Sequence, residues 1–227
     1  GLTDIDFCGA KTLAPKLLIQ AAGGTFTESP QEAFQMSLAN HDADALLFDA
    51  DGDGDSDLYV VSGGYQIADG DSLLQDRIYF NEGGIFSRNK KALPKETASG
   101  SCVKAADIDG DGDLDLFVGG RVVPGRYPES PRSFIMLNDG KGNFADATDA
   151  IAPALKNIGM VTDAVWTDVN KDRRPDLVVA GEWMPVKIFI NENGKLTDAS
   201  AQWLPQKSSG WWSRIAATDF DHDGDMD

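Results

Sequence analysis

The sequence predicts an all-β protein, a β-propeller built of four-stranded antiparallel blades. Three observations lead there. An Asp-rich nonapeptide recurs four times in phase, and an apolar run reaching a glycine follows each of the first three copies. Each period then carries an apolar run, Asn or Gly turn residues and a second short apolar run, which is the pattern of a β-hairpin.

The nonapeptides span 49–57, 107–115, 168–176 and 219–227, and Asp4-Ile-Asp-Phe-Cys-Gly9 has the form of the segment that follows such a loop. Ninth-position aspartates therefore fall at 4, 57, 115, 176 and 227. They divide the chain into periods 4–57, 57–115, 115–176 and 176–227, read as one propeller domain or segment covering 1–227.

Each period supplies four strands. The first precedes the loop: Ala45–Phe48, Val103–Ala106, Val161–Thr167 and Ile215–Thr218. The second follows it: Leu58–Gly63, Leu116–Gly119 and Leu177–Gly181. Third and fourth strands form hairpins that begin at Leu17, Arg77, Ile135 and Ile188. By this count the first blade holds three strands and one strand is left at the C-terminus. The chain is then a closed four-bladed ring or an arc of a larger propeller, and an arc has open edges that invite pairing with another chain.

Composition narrows the function. The chain has 37 acidic and 20 basic residues, a net charge of −17, and 30 of the acids are Asp. Asp favours turns and hard-cation sites over helix surfaces. Nucleic acid is an unsuitable partner, because phosphate binding needs a basic face. A hydrophobic fraction of 41% supports a core, so this is not a disordered acidic tail. No apolar stretch approaches a membrane span. No signal-peptide pattern opens the sequence, and Gly1 in place of Met points to a trimmed N-terminus. Cys8 and Cys102 read as two reduced, packed thiols and not as a disulfide framework.

The nonapeptides account for most of the charge, holding 18 of the 37 acids and three of the 20 bases. Oxygens at alternate positions suit Ca²⁺, which takes six to eight hard ligands. The candidate ligands are Asp49, Asp51, Asp53, Asp55 and Asp57 in the first loop. The second offers Asp107, Asp109, Asp111, Asp113 and Asp115, and the fourth Asp219, Asp221, Asp223, Asp225 and Asp227. Position 7 serves through its carbonyl and position 9 as a bidentate carboxylate. Gly54, Gly112 and Gly224 at position 6 permit a sharp bend with positive φ. An EF-hand is excluded, since Val60, Val118 and Val179 stand where its Glu is required. The third loop, Asp168, Asn170, Asp172, Arg174 and Asp176, also carries Lys171 and Arg173 and is expected to bind more weakly. Up to four calcium ions are expected, in a structural role.

With these residues in view, the chain resembles the FG-GAP or VCBS repeat family of integrin-like propellers. The resemblance rests on Asp-x-Asp-Gly-Asp-Gly-Asp-x-Asp-Leu, the following Gly63-Gly64 and Gly119-Gly120, and the Asn-x-Gly-x-x-Phe turn. The stretches 119–127, 181–185 and 210–212 look like large bacterial surface proteins of this class, some of which end in an ASPIC and UnbV type domain. The resemblance implies seven blades, calcium loops on one face, and ligand recognition on the other. It also implies an exported protein, whether periplasmic, cell-surface or extracellular.

On the face opposite the calcium loops, the long connections hold Arg121, Arg126, Tyr127 and Arg132, a basic and aromatic cluster suited to an acidic or sugar ligand. Local pairing with acids such as Glu129 is the plainer reading. Trp183, Trp211 and Trp212 raise a similar choice. Neighbours on a strand face opposite ways, so one of Trp211 and Trp212 is expected between blades and the other as a stacking platform. Catalysis has little support, with His41 and His222 the only histidines and no nucleophile or phosphate-loop motif. The sequence therefore reads as a binding or adhesion module for a protein or carbohydrate. The enzymatic alternative is a calcium-dependent lyase acting on acidic polysaccharide.

Overall fold

The computed structural model describes residues 15–204, 208–224 and 226. The expected strand at Asp4–Gly9, together with Cys8, Asp225 and Asp227, lies outside the described residues.

An N-terminal hairpin pairs β1 (Leu17–Gln20) with β2 (Phe26–Ser29). Three blades follow, each running in order from an inner strand to an outer edge. The first comprises β3 (Asp42–Phe48), β4 (Asp57–Ser62), β5 (Arg77–Glu82) and β6 (Ile85–Arg88). The second comprises β7 (Ser99–Ala106), β8 (Asp115–Val122), β9 (Phe134–Asn138) and β10 (Phe144–Asp146). The third comprises β11 (Met160–Thr167), β12 (Asp176–Met184), β13 (Lys187–Asn191) and β14 (Leu196–Asp198). All pairings within the blades are antiparallel. The outer strands β6, β10 and β14 are short, which limits the edge open to another chain.

Packing between blades explains the apolar runs. β4 is buried along its whole length, so both of its faces need apolar residues. Tyr59 and Val61 face the second blade, joining Val103, Leu116 and Phe134 in one cluster. Leu58 and Val60 face the other way, toward Phe34 and Phe86. The alternation continues one blade on: Phe117 packs with Val161, Leu177 and Phe189 of the third blade. β4 and β8 thus each serve two interfaces at once, through the two-residue period of a strand.

Inner strands lie side by side, β3 against β7 and β7 against β11. Register shifts near the start of all three mark a bulge. Just past the bulge, Asp44 accepts from the Val103 N–H at 3.0 Å, bridging two blades. Asp163 in the third blade accepts from the Ile215 N–H at 3.2 Å in the same manner. That contact corrects one expectation. Residues 215–218 form no strand, since among the described residues no second strand follows to pair with them. The strand found instead is β15 (Gly210–Trp211), which adds to β12. Among the described residues no pairing joins it to the N-terminal hairpin, so no ring closure is seen. Cys102 is a buried free thiol whose pKa burial pushes up to about 11.

The glycine ending β4 is a requirement of this packing. A Cβ on Gly63 would lie 2.3 Å from the carbonyl oxygen of Gly100 in the neighbouring blade. Gly63→Ala should therefore destabilise the protein by about 1–3 kcal/mol in denaturant titration. Gly23→Ala, where a Cβ meets nothing within 4 Å, should leave the midpoint nearly unchanged.

Candidate metal loops and the opposite face

The loops between first and second strands share one conformation. In the first, Asp49 accepts from the N–H groups of Gly52 (2.8 Å) and Gly54 (3.0 Å). Asp53 accepts from Asp55 N–H at 2.8 Å. The second loop repeats this with Asp107 accepting from Gly110 (2.7 Å) and Gly112 (3.2 Å). In the fourth, Asp219 accepts from Asp223 and Gly224 N–H, both at 3.1 Å. Position 6 has positive φ as expected, at Gly54 (91°), Gly112 (98°) and Gly224 (91°). Position 4 does too, and there the third and fourth loops hold Lys171 (62°) and His222 (63°) in left-handed backbone.

This folding brings carboxylates together. Oxygens of Asp49, Asp51 and Asp53 lie within 4.8 Å of one another, as do those of Asp219, Asp221 and Asp223. In the second loop the trio is Asp107, Asp109 and Asp115, so a position-9 carboxylate reaches the others there. Burial, and then the neighbouring charges of Asp53 and Asp111 respectively, raise the pKa values of Asp51 and Asp109. A divalent cation would relieve that repulsion.

The third loop differs. The Arg174 guanidinium contacts Asp172 and donates from Nε to the Asn191 carbonyl at 2.9 Å. Burial pulls the Asp172 pKa upward, but hydrogen bonds from Arg174 N–H and Asn170, with the Arg174 charge, hold it below the usual value. This loop carries its own cation.

Position 9 has a role beyond any ion. Asp57, Asp115 and Asp176 are at most 1% exposed. One oxygen of each accepts from the position-2 N–H: Ala50 at 2.9 Å, Ile108 at 3.0 Å and Val169 at 2.9 Å. The other accepts from the backbone of an Asn ending the third strand: Asn81 at 2.8 Å, Asn138 at 2.9 Å and Asn191 at 2.7 Å. Asn138 and Asn191 in turn donate, each at 2.8 Å, to the position-2 carbonyls of the preceding blade, Ala50 and Ile108. Sequence reading placed these asparagines only as turn residues. Their recurrence just after the apolar run of each third strand, at 81, 138 and 191, was the available signal.

On the opposite face the expected cluster divides. Arg121 pairs with buried Glu182, Arg126 with Asp69 (2.7 Å) and Glu129 (3.0 Å), and Arg132 with Asp146. Arg132 also lies 5.1 Å over the Phe134 ring. The arginines are thus locally neutralised, as the plainer reading held. The aromatics do converge: Trp183 Nε1 donates to the Tyr127 hydroxyl at 2.5 Å, and Trp183 meets Trp211 edge-on at 5.1 Å. Tyr127, Trp183 and Trp211 remain 45%, 65% and 58% exposed, and Trp183 has a φ of 57°. Beside them runs a groove of about 470 Å³ lined by Tyr127, Pro128, Met160, Trp183 and Pro185. Trp212 does not pack between blades, nor does Trp211. Trp212 is 40% exposed and bonds through Nε1 to the Ser208 carbonyl at 2.7 Å, because β15 lies on the rim of the third blade and not in an interface.

The sequence model of the FG-GAP-like repeat matches residues 49–118 and 168–227, more than half of the chain. No curated protein matches.

Asp115 offers a test of the clasp. Burial, opposed by its two backbone hydrogen bonds, pushes its pKa up to about 6. The folded state then holds its proton more tightly than the unfolded chain, so in metal-free buffer this group's contribution to stability falls as pH rises from about 4 to about 6. Asp115→Asn should flatten that slope in denaturant titrations at stepped pH. At pH 7 it should cost about 1–3 kcal/mol, since an amide NH₂ would face the N–H of Ile108 or Asn138.

Proposed function

The chain belongs to the FG-GAP-like repeat family, and from that premise we propose that it is a calcium-stabilised binding module of an exported or cell-surface protein. Repeats of this family occur in extracellular and surface proteins and are typically non-catalytic. No described helix is long and apolar enough to cross a membrane.

The observation that carries the reading is the separation of two chemistries. Converging carboxylates lie in the loops that follow the first strands, while Tyr127 on a connection, Trp183 at the end of β12 and Trp211 in β15 stand exposed away from those loops. Large aromatics left in water beside a groove offer rigid stacking area at little entropic cost, and a sugar ring or an apolar protein side chain suits such a platform. A left-handed φ at an exposed Trp is strain that packing alone does not demand. Calcium in the first and second loops would hold the first two strands of their blades in register, and the fourth loop offers a further site. The third loop binds most weakly, because an ion there has to displace Arg174 from Asp172.

Chelation with EDTA should lower the melting temperature, and Ca²⁺ but not Mg²⁺ should restore it. Each site held at a hundredfold excess over its Kd contributes about 2.7 kcal/mol. A melt indifferent to chelation removes the calcium reading. Arg174→Ala should raise the number of tightly bound ions by one, counted by calorimetric titration. On an array of glycans and matrix proteins, Tyr127→Ala and Trp211→Ala should each lose at least tenfold in binding. Unchanged binding by both variants removes the aromatic platform.

A further inference from the structure

One stretch runs against the acidity of the chain. Between β6 and β7, Arg88, Lys90, Lys91 and Lys95 gather four cations in eight residues. None pairs with a carboxylate among the described residues, whereas Arg77, Lys104, Arg121, Arg126, Arg132, Lys156, Arg174 and Lys187 all do. The adjoining Glu96 forms no ion pair with them among the described residues, and its N–H is held by Gln75.

Three of these cations, Arg88, Lys90 and Lys95, line a cavity of about 270 Å³ together with Gln75 and Asn89. The site is held rigid. Gln75 Oε1 accepts from Glu96 N–H at 3.0 Å and its Nε2 donates to the Pro94 carbonyl at 3.2 Å. Asn89 N–H donates to the Ile78 carbonyl at 3.2 Å, and the Asn89 side chain accepts from Lys91 N–H at 3.0 Å. Ala92, 1% exposed, accepts from Phe144 N–H at 2.7 Å and anchors the middle of the loop. Asp76 at the cavity wall turns its oxygens away, to the Tyr59 hydroxyl at 2.8 Å and Ser62 N–H at 2.7 Å. Arg88 is half-buried, and its partial desolvation lowers its pKa. A desolvated cation without a counter-ion is unfavourable, and an anion in the cavity supplies one.

We propose that this cavity binds a compact oxyanion, a sulfate, phosphate or carboxylate group, through Arg88, Lys90 and Lys95, with the Asn89 amide beside them and Gln75 bracing the wall. Compactness follows from charge. At physiological salt each charge acts over about 8 Å, so the cations govern their own cavity, while an extended polyanion would meet the acidic remainder of the chain. Nothing in this proposal depends on the aromatic groove or on calcium.

The test is titration of the full chain with sodium sulfate and with sodium glucuronate, against sodium chloride at matched ionic strength, in buffer with calcium. Amide NMR shifts at Gln75, Asn89 and Lys91 should saturate with sulfate, glucuronate or both, and with chloride they should not. Saturation with sulfate alone assigns a tetrahedral oxyanion; saturation with glucuronate alone assigns a carboxylate. Lys90→Ala/Lys95→Ala changes only exposed side chains and should weaken binding at least tenfold with the spectrum otherwise retained. Arg88→Gln should do the same if it folds. Absence of saturation with both anions overturns the proposal, and so does saturation that the double variant leaves unchanged.

Discussion

The propeller depends on one buried carboxylate per blade. The ninth residue of each of the first three loops, Asp57, Asp115 or Asp176, accepts one N–H from its own loop and one from near the end of the third strand. A buried charge is costly unless hydrogen bonds satisfy it. Two backbone donors do so here, and they pin the loop to the sheet. The asparagine that supplies the second donor also reaches the preceding blade. Local loop closure and blade-to-blade registration are therefore one network.

That network changes how the acidity is understood. The outer carboxylates of the loops converge and repel, and a cation would settle them. The ninth-position carboxylates each take two backbone hydrogen bonds, and in the second loop Asp115 also lies with the converging group. In the third loop a guanidinium takes the place of external charge, with Lys171 and Arg173 in left-handed backbone where other loops mostly use glycine. The same loop shape thus persists under different electrostatics, because backbone donors and not side-chain charges define it.

The two ends of the blades handle charge differently. At the loop end, negative charge is concentrated. At the other, Arg121, Arg126 and Arg132 each meet an acid, leaving aromatic faces as the exposed feature of that region. The cations of 88–95 make no ion pair among the described residues, and the carboxylate that shares their cavity, Asp76, is taken up by Tyr59 and Ser62.

Periodicity alone determined the blades. The nonapeptide spacing placed β4, β8 and β12 directly after each loop, since a loop tied to its own ninth residue is a local structure. The apolar runs marked these segments as strands, and the structure shows β4 buried on both faces. Partners distant in sequence were decided only by the fold: that Asn138 answers to Ala50, that Asp163 meets Ile215, and that Trp183 joins Tyr127 and Trp211. The same holds for Trp212 on the rim and for residues 215–218 without a ladder, because a strand exists only where a second strand lies beside it. Local pattern sets which segments extend and which loops gather oxygens; long-range packing sets which side chains meet, because contact between blades is a property of three-dimensional registration that no nine-residue repeat encodes.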